Sequence, residues 1–192
     1  MGSGIGIGLL GLGTVGGGVA SSLHSPRERH PLVADLKLVR VAVRDLNRPR
    51  SVELPIEILT TDPAVVVNDP AVDVVVEVIG GIEPARSLIL QAIAAGKSVV
   101  TANKAVIARH GEEIADAAAK AGVYVLIEAA VGGGIPIIEP LKQSLGGNRI
   151  NRVSGIINGT TNYILTRMAE EGAAYESVLK DAQELGYAEA DP

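Results

Sequence analysis

The chain has no cysteine, no phenylalanine and no tryptophan, and four tyrosines are its only large aromatic side chains. Without cysteine there can be no disulfide, no thiolate zinc site and no cysteine nucleophile, although the compartment stays undecided on that ground. Without Phe and Trp, the core must be built from Val, Ile, Leu and Ala. Such a core suits buried parallel strands covered by alanine-rich helices. Positive charge is also scarce: 17 Lys and Arg against 22 Asp and Glu leave a net charge of −5. That balance lacks the basic footprint expected of a partner for nucleic acid or an anionic membrane. No apolar run is long enough to span a bilayer, and the amino terminus lacks the basic region of a signal peptide. A soluble, cytoplasmic protein is expected. With 192 residues there is room for one large domain, or for one domain and part of another.

Glycine, by contrast, is abundant and concentrated at the start. Residues 4–18, GIGIGLLGLGTVGGG, fit the pattern G-x-G-x-x-G twice, through Gly6, Gly8 and Gly11 or through Gly11, Gly13 and Gly16. The pattern carries meaning only between a strand and a helix, so the surrounding periodicity decides between the frames. Residues 5–10 read as a strand and 14–24 as a small-residue helix. A polar connection (25–35) leads to a second strand at 37–43, and 44–57 reads as loop with room for a short edge strand. A short helix and turn at 62–72 precede the strongest buried strand, 72–80. Then come a helix over 83–95, a strand at 98–102, a helix over 110–122 and a strand at 123–130. Strands alternating with helices of this length predict a Rossmann-type, doubly wound parallel sheet, with ligands beyond the carboxyl ends of the strands. If Gly6 opened the turn, only MGSGI would remain to form the leading strand. Gly11, Gly13 and Gly16 are therefore the working frame, with Gly6 and Gly8 inside the strand. In that frame Gly11 permits the tight turn, Gly13 admits a pyrophosphate, and Gly16 lets helix and strand pack closely. The helix amino terminus offers free N–H groups and the positive end of its dipole to phosphate.

The second strand runs into Arg44 and Asp45, with Arg48 and Arg50 close behind. A carboxylate there favours the ribose hydroxyls of NAD, whereas an arginine accommodates the 2′-phosphate of NADP. The arginines point to NADP, and Asp45 keeps NAD open. TANKA (101–105) follows a strand directly at the ligand edge, which makes Lys104 a candidate site group. Glu128, in EAAVGGGIPII (128–138), is expected at the end of a buried strand, where an unpaired carboxylate would be costly. The three glycines after it expose carbonyls that could join a carboxylate around a hard cation, or simply turn the chain between domains. A strand, turn and helix are expected over 153–165. His24, His30 and His110 read as surface residues, His110 at the beginning of a helix.

Taken in order, GLGTVG, TANKA, EAAVGGGIPII, GIINGTTNYIL and AQELGYAEADP resemble the amino-terminal part of homoserine dehydrogenase over the whole chain. That family interconverts aspartate 4-semialdehyde and L-homoserine with NAD(P)(H). The resemblance implies cofactor contacts at Leu12, Thr14 and Val15 alongside Gly11, Gly13 and Gly16, with Arg44 at the 2′-phosphate. It implies that Lys104 lies near the nicotinamide and substrate, in binding or proton transfer. Gly186 and Glu189 would lie at the junction of cofactor and substrate, Glu189 binding the substrate's polar groups. A Na⁺ or K⁺ site is implied at Glu128, Val131, Gly133 and Ile135, the last three acting through their carbonyls. The family is a homodimer built through its second domain, so the expected division is a dinucleotide-binding domain over 1–134 and the start of an α+β substrate and dimerisation domain over 135–192. In the family a further motif follows GYAEADP, with an aspartate that binds substrate and a lysine that donates a proton. The sequence stops at Pro192, so either a fragment of a longer enzyme or a catalytically silent dinucleotide-binding module is expected. A different Rossmann dehydrogenase, acting on another small amino or hydroxy acid, would share the glycine turn but not EAAVGGGIPII with GYAEADP.

Overall fold

The computed structural model describes residues 4–25 and 30–188. Its chain forms two compact units, Met1–Ser144 and Leu145–Pro192. The first is built on a six-stranded sheet of order β3-β2-β1-β4-β5-β6. Its strands are β1 (Ile5–Leu10), β2 (Leu36–Ala42), β3 (Leu59–Thr60), β4 (Val74–Glu77), β5 (Ser98–Thr101) and β6 (Val125–Leu126). Every pairing is parallel. The helices between them are α1 (Thr14–His24), α2 (Pro63–Asn68), α3 (Ala85–Ala94), α4 (Lys104–Ala121) and the single turn α5 (Glu128–Val131).

Alternation along the strands splits the aliphatic core into two layers. Leu9 faces one side with Ala20 of α1, Val41 and Val43. Leu10 faces the other with Val66 and Val67 of α2, Val75, Leu88 and Ile89 of α3, Val99, and Val106 and Ile114 of α4. The doubly wound sheet is thus present, with strand order reversing on either side of β1.

The frame of the glycine turn is decided by contact. A Cβ on Gly6 would lie 1.8 Å from the Ala71 carbonyl oxygen, and one on Gly8 would lie 2.7 Å from Val66. Both glycines let β1 pass beneath the α2–β4 connection, and neither belongs to the phosphate turn.

Three expected elements differ. The helix expected over 110–122 begins at Lys104, because the Asn103 side chain caps it by accepting the Val106 N–H at 3.2 Å. His110 is therefore inside a helix instead of at its beginning. The strand expected over 123–130 shrinks to the edge pair Val125–Leu126, and Glu128 opens a helical turn instead of closing a strand. The strand expected at the start of 153–165 does not form: no strand lies beside it among the described residues to take its backbone hydrogen bonds, and Ile157 is 94 % exposed.

The second unit consists, among its described residues, of α6 (Gly159–Glu171) and α7 (Tyr175–Glu184). Ile164, Val178 and Ala182 form its small core. Tyr163 and Tyr187 meet edge to face with centroids 5.2 Å apart, beside the Arg167 guanidinium. The two compact units divide between Ser144 and Leu145. Residues 137–139 stay with the first unit because their N–H groups donate to the Glu128 carboxylate.

Candidate dinucleotide-binding site

The site starts at the carboxyl end of β1, where β2 and β4 flank it on either side. Gly11 is left-handed, with φ +102°, and donates its N–H to the Ala42 carbonyl at 3.0 Å. A Cβ on Gly16 would sit 2.1 Å from the Gly11 carbonyl oxygen, so this glycine lets α1 press against the turn. Gly13 differs from both. Its backbone is extended, and a Cβ there would meet nothing within 4 Å. Neither packing nor conformation requires a glycine at 13, and its outer side is open.

α1 begins without a side-chain cap and without an acidic residue in its first turn. By contrast, Asp62, Asn103 and Asn158 cap α2, α4 and α6. The N–H groups of Thr14 and Val15 are thus free to meet an anion at the positive end of the helix dipole. Leu12, Thr14 and Val15 border this terminus, with Val15 exposed.

The arginines after β2 divide their work. Arg50 donates to the carbonyls of Asp45, Leu46 and Arg48, folding the loop on itself. Asp45 accepts the Asn47 N–H at 2.9 Å. The exposed guanidinium groups of Arg44 and Arg48 have no partner among the described residues. Arg44 is therefore presented at the carboxyl end of β2 by a loop that Arg50 holds in shape.

Lys104 is the first residue of α4, exposed and without an ion-pair partner among the described residues. A cation at a helix amino terminus opposes the dipole, at a cost of about 0.3–1 kcal/mol. Beneath it lies a group that the sequence reading passed over. Glu77 is completely buried at the end of β4. Its carboxylate accepts the Ile79 N–H at 2.8 Å and the Thr101 hydroxyl at 2.6 Å. The signal was available: Glu77 is the one charged residue in the apolar run VVVEVI, residues 74–79.

Glu128 is paired with backbone donors rather than unpaired. It accepts the N–H groups of Ile137, Ile138 at 2.9 Å and Glu139 at 2.7 Å. The bond from Ile137, then that from Glu139, holds its carboxyl below the ordinary value of 4.5 against the opposing effect of burial; Ile138 and the charge of Lys142 add to this. Folding therefore disfavours protonation of Glu128. The stability it contributes is present above pH 4.5 and is lost as pH falls through the lower, folded value. Glu128→Gln should lower the thermal midpoint at pH 7 and flatten its fall below pH 4.5. Superimposable melting profiles from pH 3 to 7 would remove this role. The carbonyls of Val131, Gly133 and Ile135 accept no hydrogen bond among the described residues. Gly186 lies in the second unit, where it ends α7 with φ +76°; Glu189 lies outside the described residues.

The reversal of strand order, the ligand-facing glycine and the uncapped helix define a nucleotide-binding domain of the doubly wound α/β class. Residues 11–128 match the family model for the NAD-binding domain of homoserine dehydrogenase, and residues 136–192 match the model for homoserine dehydrogenase itself. The chain belongs to the homoserine dehydrogenase family. It is 64 % identical over 186 residues to homoserine dehydrogenase of Synechocystis sp., covering 97 % of this chain and 43 % of that protein. The crystal structure of a homoserine dehydrogenase from Thiobacillus denitrificans superimposes with a TM-score of 0.84 at 52 % identity, over 98 % of this chain and 44 % of that one. A hyperthermophilic archaeal homoserine dehydrogenase in complex with NADPH gives a TM-score of 0.80 at 26 % identity, over 98 % and 63 %. The chain thus spans less than half the length of the curated relatives it matches. Among the described residues, no helix is long and apolar enough to cross a membrane.

Proposed function

We propose that the protein is a cytoplasmic enzyme that interconverts aspartate 4-semialdehyde and L-homoserine, with NADP(H) as the preferred cofactor. The observation that carries this reading is Gly13, a glycine needed by neither backbone nor packing, next to the free N–H groups of α1. The pyrophosphate fits there, with Gly11, Leu12, Gly13, Thr14, Val15 and Gly16 around it. Arg44 meets the 2′-phosphate beyond β2. The bound nicotinamide supplies or accepts the hydride. Lys104 binds the substrate or donates a proton to its oxygen as charge builds there. Gly186 and Glu189 belong at the meeting point of cofactor and substrate, and Glu189 holds the substrate's polar groups.

The carbonyls of Val131, Gly133 and Ile135 suit Na⁺ or K⁺, since they are hard and lack other partners. Glu128 contributes through the lone pair left after its three N–H bonds. The working protein is a homodimer formed through the second domain, which begins near residue 135.

Arg44→Ala should weaken NADPH roughly tenfold to a hundredfold, from the loss of a charge-assisted hydrogen bond to phosphate, and NADH far less. Equal losses for both cofactors, measured by fluorescence titration, would remove Arg44 from the 2′-phosphate. A second reading is a dinucleotide-binding module without turnover, which the glycine turn and the uncapped start of α1 would serve equally well. Absorbance at 340 nm with NADP⁺, L-homoserine and this 192-residue chain separates the two. Reduction supports the enzyme, and NADPH binding without reduction supports the module.

A further inference from the structure

We infer that Glu77 is a positioning residue for the nicotinamide half of the cofactor, acting through Thr101 and Asn103 on two loops at once. The inference rests on the dinucleotide reading above. In a doubly wound sheet the second mononucleotide lies over the second half of the strands, here beyond β4 and β5. The loops leaving those strands are 78–84 and 102–103.

Glu77 and Thr101 are register partners on β4 and β5, and both are fully buried. The Glu77 carboxylate uses one oxygen for each loop. Oε1 accepts the Ile79 N–H, and Oε2 accepts the Thr101 hydroxyl. The Thr101 oxygen in turn accepts the Asn103 N–H at 3.0 Å. The Asn103 amide then crosses back, donating from Nδ2 to the Gly81 carbonyl at 2.7 Å, while its Oδ1 caps α4. The circuit closes on itself: Glu77, Ile79, Gly81, Asn103 and Thr101. It pins two left-handed glycines, Gly80 at φ +81° and Gly81 at φ +74°, whose open conformation would otherwise leave the first loop free to move. It also fixes the residue from which Lys104 departs.

Buried networks of this kind specify one arrangement because every member is satisfied. Glutamine at 77 cannot accept on both sides: its NH₂ group must face either the Ile79 N–H or the Thr101 hydroxyl. The loop after β2, which would hold the adenosine 2′-phosphate, shares no hydrogen bond with the circuit among the described residues, although the glycine turn meets it where Gly11 approaches the Ile79 nitrogen. The two halves of the cofactor should therefore respond differently.

The test uses this 192-residue chain and compares dissociation constants for NADPH and for adenosine 2′,5′-bisphosphate. Glu77→Gln and Thr101→Val should each weaken NADPH by about tenfold or more and leave the bisphosphate within about twofold. Thr101→Ser, which keeps the hydroxyl, should bind NADPH as the parent chain does. If Glu77→Gln fails to fold, Thr101→Val carries the comparison. Equal weakening of both ligands would make the circuit general scaffolding and overturn the inference, as would no change in either. A parent chain that bound neither ligand would overturn the dinucleotide reading and this inference with it.

Discussion

Lys104→Ala should lower the rate of homoserine oxidation by about 10²- to 10⁴-fold, the range for loss of a group that moves a proton in the transition state. The assay calls for the enzyme at the full length of its relatives, with NADP⁺ and L-homoserine at saturation. Lys104 is the first residue of α4, where a positive charge opposes the helix dipole. Asn103 already caps that helix, so the lysine has no structural task there. Lys104→Arg sharpens the test: it keeps the charge but cannot release a proton. If Lys104 only binds, arginine should restore most of the turnover; if it moves a proton, arginine should restore KM and leave kcat low. Near-normal turnover in Lys104→Ala would make it a surface charge.

The second large effect separates binding from folding within one turn. Gly13→Val should reduce NADPH affinity at least about a hundredfold while costing no more than about 1 kcal/mol of stability, the scale of replacing an N-cap glycine with valine. The backbone at 13 is one that valine adopts, and no protein atom lies near the added Cβ. Gly16→Ala should do the reverse in order of cause: its Cβ would meet the Gly11 carbonyl at 2.1 Å, and the overpacking should cost about 1–3 kcal/mol of folding stability. Thermal melts and NADPH titrations of both variants decide the matter. A Gly13→Val chain that binds normally would leave the turn without its ligand.

Most of the sheet was legible because each strand carries its own signal. β1 and α1 lie at residues 5–10 and 14–24, as periodicity indicated, since an aliphatic run and a glycine turn together allow few alternatives. Errors arose where a contact distant in sequence decides the outcome. Glu128 was read as the end of a strand, but three N–H groups nine to eleven residues later turn it into a cap and carry the first unit on to Ser144. The expected helix over 110–122 misses the start of α4, because the Asn103 side-chain bond to the Val106 N–H begins it six residues earlier. Glu77 escaped notice because a single carboxylate in an apolar strand names no partner; Thr101 becomes its neighbour only through the pairing of β4 and β5. Among the candidate site residues, the glycine turn could be recognised locally and Arg44 from the resemblance, whereas the part Arg50 plays in shaping the loop shows only in the fold.

The uneven placement of tyrosine gives the two units separate optical voices. Tyr163, Tyr175 and Tyr187 all belong to the second unit, and the contact of Tyr163 with Tyr187 is what joins the start of α6 to the end of α7. The first unit holds Tyr124 alone, 76 % exposed. With no tryptophan to outshine them, changes in ultraviolet emission and near-ultraviolet dichroism will follow the helical pair almost exclusively. Melting of the sheet will pass nearly unseen at those wavelengths, and the blue fluorescence of bound NADPH becomes its natural reporter.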